Sequence, residues 1–196
     1  MSATAAPAQA ADLRSLKGRI GMACLIVAES SFFAIFVIAY LFYRGKSVSG
    51  PQPADVLSMP ILASICLLSS SVTISLAVRA LRAGRMGGFR SLWAATIALG
   101  AAFLVATALE WRELIYERGL TIATNLFGTT FYSLVGFHAL HVVIGLSLLL
   151  LVLFLSLRGH VDEGHAERVE VLSWYWHFVD AVWIVVFSTV YLGLAR

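Results

Sequence analysis

Apolar runs long enough to cross a lipid bilayer recur five times along the 196-residue chain. A hydrocarbon core about 30 Å thick takes roughly 20 residues of helix. Runs 20–43, 57–79, 91–112, 125–157 and 171–194 each meet that length. The first is interrupted by Glu29, the second is uncharged until Arg79, and the third meets Glu110 and Arg112 only at its end. The fourth is uncharged throughout, and the fifth contains only Asp180. The charge-free stretch 119–157 is too long for one span, and no proline inside it provides a turn. Its polar opening, Thr121-Ile-Ala-Thr-Asn125, reads as a lead-in, with a re-entrant start over 119–125 as the alternative.

Unsatisfied peptide groups are so costly in lipid that each run must be helical. The expected fold class is therefore an all-α integral membrane protein, a bundle of five transmembrane helices. Residues 1–18, Ala/Pro-rich at their start, are expected to form a disordered tail, with one domain over 19–196. Basic residues precede an apolar run far longer than a signal core, so no cleavable signal peptide is expected. No internal repeat is evident.

Composition agrees with the pattern. The chain is 60% hydrophobic and only 13% charged, with a mean hydropathy of +0.87. A soluble domain of this size needs more polar residues to cover its surface. The net charge of +3 gives no reason to expect nucleic acid. Arginines and lysines fall unevenly between the two sides. One side takes nine (Arg14, Lys17, Arg19, Arg79, Arg82, Arg85, Arg90, Arg158, Arg168) and the other five (Arg44, Lys46, Arg112, Arg118, Arg196). The richer side faces the cytoplasm, which puts the amino terminus there and the carboxyl terminus in the periplasm. Cys24 and Cys66 lie inside apolar runs and read as small packing residues, neither a disulfide nor a metal knuckle.

Ionisable groups inside a span are functional candidates by default. Glu29 shares a helical face with Phe32, Phe33, Phe36 and Tyr40, where a bare charge is disfavoured. It is either a proton-exchanging or lipid-contacting group, or a carboxyl tied to a neighbouring helix. His138 and His141 are three residues apart, and so are His177 and Asp180. Such histidines could ligate haem, with His177 completing a pair. No intramembrane cysteine cluster or Glu-x-x-His pattern accompanies them, which favours hydrogen bonds between helices. A buried Asp180 needs a partner, which a histidine or an indole N–H could supply. Trp176, Asp180 and Trp183 lie on one face. Trp183 is too deep for an interface anchor, whereas Trp174 suits one. Ser69, Ser70, Ser71, Thr73 and Ser75 on the second helix read as close-packing positions. His160, Asp162, Glu163, His165, Glu167 and Glu170 cluster on the cytoplasmic loop. They are either proton collectors or a solvated segment kept out of lipid.

These segments resemble a known family. Gly21-Met-Ala-Cys-Leu-Ile-Val-Ala-Glu-Ser-Ser-Phe-Phe33 is similar to the glutamate-bearing helix of subunit III of haem-copper terminal oxidases. Gly136-Phe-His-Ala-Leu-His141 resembles that family's Gly-Phe-His-x-x-His helix, and Trp176-His-Phe-Val-Asp180 its closing signature. Leu109-Glu-Trp-Arg112 resembles the step that ends the preceding helix. The resemblance runs in order from Gly18 onward and fits the family's five-helix form rather than its seven-helix one.

It implies an accessory subunit of a proton-pumping terminal oxidase, such as cytochrome c oxidase, in the bacterial cytoplasmic membrane. No catalytic residue, metal ligand, haem or copper is expected in this subunit. Direct packing on subunit I is implied, with subunit II and a small subunit IV nearby and a respiratory supercomplex as a further assembly. Bound phospholipid near the glutamate is implied, as is support of proton uptake and of subunit I stability. The motif residues carried over are Glu29 and Asp180 (lipid- or proton-related) and an interhelical polar network of Glu110, His138, His141, His177 and Trp183. A quinol oxidase or a nitric oxide reductase-associated subunit lies within the same family. Rivals outside it are a di-haem membrane cytochrome b and a small transporter using Glu29 and Asp180.

Overall fold

The computed structural model describes residues 5–192 of the chain. Five long helices are apolar enough to cross a membrane: α1 (Ala5–Tyr43), α3 (Ile61–Arg82), α4 (Met86–Tyr116), α5 (Leu126–Leu157) and α6 (Ala166–Val190), with one short turn of helix, α2 (Pro53–Val56), between the first two. No strand occurs among the described residues. A 3-10 turn, Glu163–His165, leads into α6.

The helix ends differ from the sequence boundaries for local reasons. The first helix starts at Ala5, inside the stretch expected as a tail, and residues 1–4 lie outside the described residues. The second span starts at Ile61 rather than 57, because Pro60 takes the cap position. The third runs from Met86 to Tyr116, since charged residues at a span's end reach into the headgroups while the backbone stays helical. The fourth opens at Leu126 with Asn125 as its cap, the Asn125 side chain accepting from Gly128 N–H at 2.8 Å. Residues 119–125 form a turn, closed by Thr124 N–H donating to Thr121 O at 3.2 Å. The last helix begins five residues early, at Ala166, behind the Asp162 cap, and ends at Val190.

Helices α3, α4, α5 and α6 close a four-helix ring, each packed on the next, and α1 lies outside it in the groove between α5 and α6. Lipid tails are as apolar as leucine, so burial alone cannot choose these partners; fit and hydrogen bonds do. Two tryptophans of α6 supply both. Trp176 donates its indole N–H to Ser70 Oγ of α3 at 2.8 Å, and its ring leaves room only for Gly100 of α4 and Gly145 of α5. One heptad on, Trp183 donates to Ser64 Oγ of α3 at 3.0 Å. Its ring meets Phe103 of α4 and stacks on His138 of α5. Ser70, read as a close-packing position, and Ser64, which the sequence did not single out, are thus the acceptors for the indoles, and their own hydrogens go back to their helix backbone at Leu67 and Pro60.

Secondary ties fasten the ends. The Trp93 indole Nε1–H donates to Leu149 O at 2.9 Å, and Arg90 Nη2 donates to Ser156 O at 2.6 Å. At the opposite end, Asn125 Nδ2 donates to Ser49 O and Pro51 O, both at 3.0 Å, which pins the loop after α1 to the start of α5.

Candidate functional site

At the α1–α5 contact, Glu29 Oε2 lies 3.2 Å from His141 Nε2. The other ring nitrogen, His141 Nδ1, lies 2.8 Å from Phe137 O, its own helix carbonyl four residues back. Tyr175 of α6 reaches the same place and donates to His141 O at 3.4 Å. Phe33 and Phe137 pack against the His141 ring. Phe33 of α1 packs edge-on against His141 at 4.9 Å, and Phe32 and Phe36 meet Phe137 at 4.9 and 5.2 Å. Glu29 is therefore a carboxyl hydrogen-bonded to a neighbouring helix, and its side chain is 28% exposed.

An apolar groove of about 350 Å³ opens beside this joint, between α1 and α6. Ser30, Phe33, Ala34, Val37 and Ile38 line one wall, and Phe178, Ala181, Val182 and Val185 the other. The Ser30 hydroxyl is spent on Ile26 O at 2.7 Å, so the groove offers hydrocarbon on both walls.

Asp180 sits on the α3 side of α6, and its partner is neither a histidine nor an indole, as the sequence suggested. The Ser71 hydroxyl of α3 donates to Asp180 Oδ2. That hydroxyl has one hydrogen, so it accepts at the other contact, where His177 Nδ1 lies 3.0 Å away. A line from imidazole N–H through hydroxyl to carboxyl results, with Ser75 Oγ 3.3 Å from His177 Nε2. Asp180 Oδ1 is buried without a partner among the described residues.

Of the residues expected in an interhelical polar network, His141, His177 and Glu110 hydrogen-bond to side chains of other helices, and His138 does not. Neither of its ring nitrogens has a hydrogen-bond partner among the described residues. The ring stacks on Trp183 at 5.1 Å, with the edges of Phe103 and Phe33 at 5.9 and 6.4 Å. It behaves as an aromatic packing group. The three membrane histidines accordingly face three different neighbours: His138 an indole, His141 a carboxyl and His177 two serines. No group of three or more His, Cys, Asp or Glu side chains stands close enough to hold a metal among the described residues.

Glu110 closes the far end of the bundle, where Tyr191 OH donates to Glu110 Oε1 at 3.1 Å. Tyr191 carried no sequence signal beyond its place at the end of the last span. Ser71 had one: a hydroxyl residue on a span without acids, in a chain three of whose other spans carry one, Glu29, Glu110 and Asp180.

On the loop side, most acids are already engaged. Glu167 pairs with Arg19 of α1 at 3.7 Å, and Glu170 with Arg82 of α3. Asp162 accepts from Gly164 N–H at 2.9 Å and lies 2.8 Å from His165 Nδ1. The His165 hydrogen bond holds the Asp162 carboxyl below its usual range. Glu163 and His160 are exposed. These contacts clamp α1, α3 and α6 at one end, which is also where Arg79, Arg85, Arg90, Arg158 and Arg168 lie.

The chain matches the family described as cytochrome c oxidase subunit III over residues 13–193. It is similar to cytochrome c oxidase subunit 3 of Synechocystis sp., 42% identical over 176 residues covering 88% of this chain and 74% of the relative. The proteins of the same description from Dasypus novemcinctus and Neotragus moschatus are 35% and 34% identical over 184 residues, covering 88% of this chain and 68% of each relative.

Proposed function

Because this chain belongs to the cytochrome c oxidase subunit III family, we propose that it works as a non-redox accessory subunit that lodges beside subunit I, with subunit II in the same complex. The observation that carries this reading is where the family's motif residues end up. Glu29, His141, Asp180, His177 and Glu110 are joined to side chains of other helices rather than gathered around a common centre. Such contacts make a stiff, membrane-embedded wall.

Its contribution to oxygen reduction is then indirect. The α1–α6 groove suits a phospholipid acyl chain, and Ser30, which follows Glu29 in the chain, lines it. Lipid held there and helices packed on subunit I would stabilise that subunit's surface and support proton uptake. The amino terminus faces the cytoplasm in this reading, because the arginine-rich end is the retained side, and the membrane is the bacterial inner membrane. Haem and copper belong to partner subunits.

The test is an oxidase purified with and without this chain. The stripped enzyme is expected to keep its haem spectrum and its first turnovers, yet to slow at alkaline pH or inactivate faster during turnover. Loss of the haem signal with the chain, or a Soret band that follows the isolated chain, would sink the accessory reading and restore the cytochrome one.

A further inference from the structure

We propose that Glu29 and His141 form a single-proton site, in which the two side chains jointly hold one exchangeable proton and are uncharged as a pair. This rests on the reading above, in which the subunit supports proton uptake, and adds to it a pair of residues and a proton count.

Counting hydrogens leads there. A backbone carbonyl only accepts, so the 2.8 Å contact between His141 Nδ1 and Phe137 O requires the ring hydrogen on Nδ1. A neutral imidazole has no second hydrogen. The 3.2 Å contact between Nε2 and Glu29 Oε2 nevertheless needs one. It comes either from a carboxylic acid donating to Nε2 or from an imidazolium donating to a carboxylate. Both arrangements place one proton in the contact and sum to zero charge.

Without that proton, one ring N–H would face two acceptors, and a bare carboxylate inside the membrane would face an imidazole that is itself packed against Phe33 and Phe137. Charge in such surroundings is strongly disfavoured. No compensating cation is available: among the described residues Glu29 has no ion-pair partner other than His141. The titratable groups facing the pair are few. From α6 comes Tyr175, whose hydroxyl donates to His141 O; from α5 comes His138, turned away onto Trp183; α1 brings no further acid or base to this level. Partial exposure of the Glu29 side chain leaves the proton reachable from outside the helix bundle.

Glu29→Gln is the informative variant, because its amide N–H supplies the hydrogen that Nε2 needs while removing the exchangeable proton. Infrared difference spectra of the intact oxidase complex, wild type minus Glu29→Gln, are expected to show one of two signatures that shift in deuterium oxide. These are an acid C=O stretch, or an imidazolium ring mode that His141→Phe also abolishes. Carboxylate stretches of Glu29 beside a neutral ring would overturn the proposal. So would dissociation of the Glu29→Gln subunit from the complex, since the donor count would then be wrong. Neither outcome depends on how the stripped oxidase turns over, so this proposal and the accessory role fail separately.

Discussion

Trp176 and Gly145 occupy one space: a Cβ built on Gly145 would lie 2.9 Å from the indole Cε3 and Cζ3 atoms. Gly100, across the bundle, would place its Cβ 2.8 Å from the same ring. The indole fills the whole gap between α4 and α5, and its N–H is anchored on α3, so the ring cannot slide aside. Gly145→Ala and Gly100→Ala are each expected to destabilise the subunit by about 1–3 kcal/mol, the usual range for overpacking a filled core. Gly87, whose added methyl would meet open space, is the control. Retention of the subunit in the complex during a thermal ramp in detergent measures the difference. Equal retention of all three variants would show that Trp176 can move.

His138 and His141 are one turn apart and should respond oppositely to phenylalanine. His138 has no hydrogen bond to lose among the described residues and already stacks like an aromatic ring. Its replacement by Phe should change stability by less than about 1.5 kcal/mol, as volume-conserving swaps do. His141→Phe strands Glu29 and should cost more, about 1–3 kcal/mol for an unsatisfied buried polar group. Combining His141→Phe with Glu29→Leu should recover part of that loss. Denaturant titration of the purified complex, followed by release of this subunit, gives the cycle; additive losses would mean that the two residues do not interact.

Ser71 is expected to matter as much as the aspartate it serves. Ser71→Ala leaves both Asp180 oxygens without a donor, whereas Asp180→Asn keeps an acceptor for the hydroxyl. The order of subunit retention should therefore be wild type, then Asp180→Asn, with Ser71→Ala and Asp180→Leu below. Removing one partner of a buried charged pair costs on the order of 3–5 kcal/mol, an upper bound here because the partner is a neutral hydroxyl. Retention of Ser71→Ala equal to wild type would place Asp180's partner elsewhere.

Asp162 gives a pH prediction outside the membrane. Its carboxyl titrates below the ordinary value because of His165. A depressed folded-state value means that its stabilising contacts are present above the unfolded-state value and vanish as pH falls through the folded one. The cap before α6 should hold at neutral and alkaline pH and loosen only in acid, below the usual carboxylate range. Asp162 is thus ionised throughout the range where proton supply limits turnover, and Asp162→Asn should leave the alkaline activity profile unchanged. A downward shift of that profile would make the carboxylate a proton collector after all.

Much of this molecule is legible in one dimension because lipid imposes a one-dimensional rule. Every peptide group must be bonded within its own helix, so run length alone predicts five spans, and intramembrane Glu29, Asp180, His141 and His177 declare themselves by being expensive there. Helix ends were less legible: Pro60, the Asp162 cap and the continuation of α4 to Tyr116 act through local geometry that hydrophobic runs do not encode.

Only the tertiary structure decided who pairs with whom. Asp180 takes a serine from α3 rather than a neighbouring histidine or indole, and His138 takes an indole face in place of a hydrogen bond. Apolar helices in apolar solvent have no burial preference for one neighbour over another. Steric fit around Trp176 and Trp183 sets the helix order, and that order then brings each polar group to its partner.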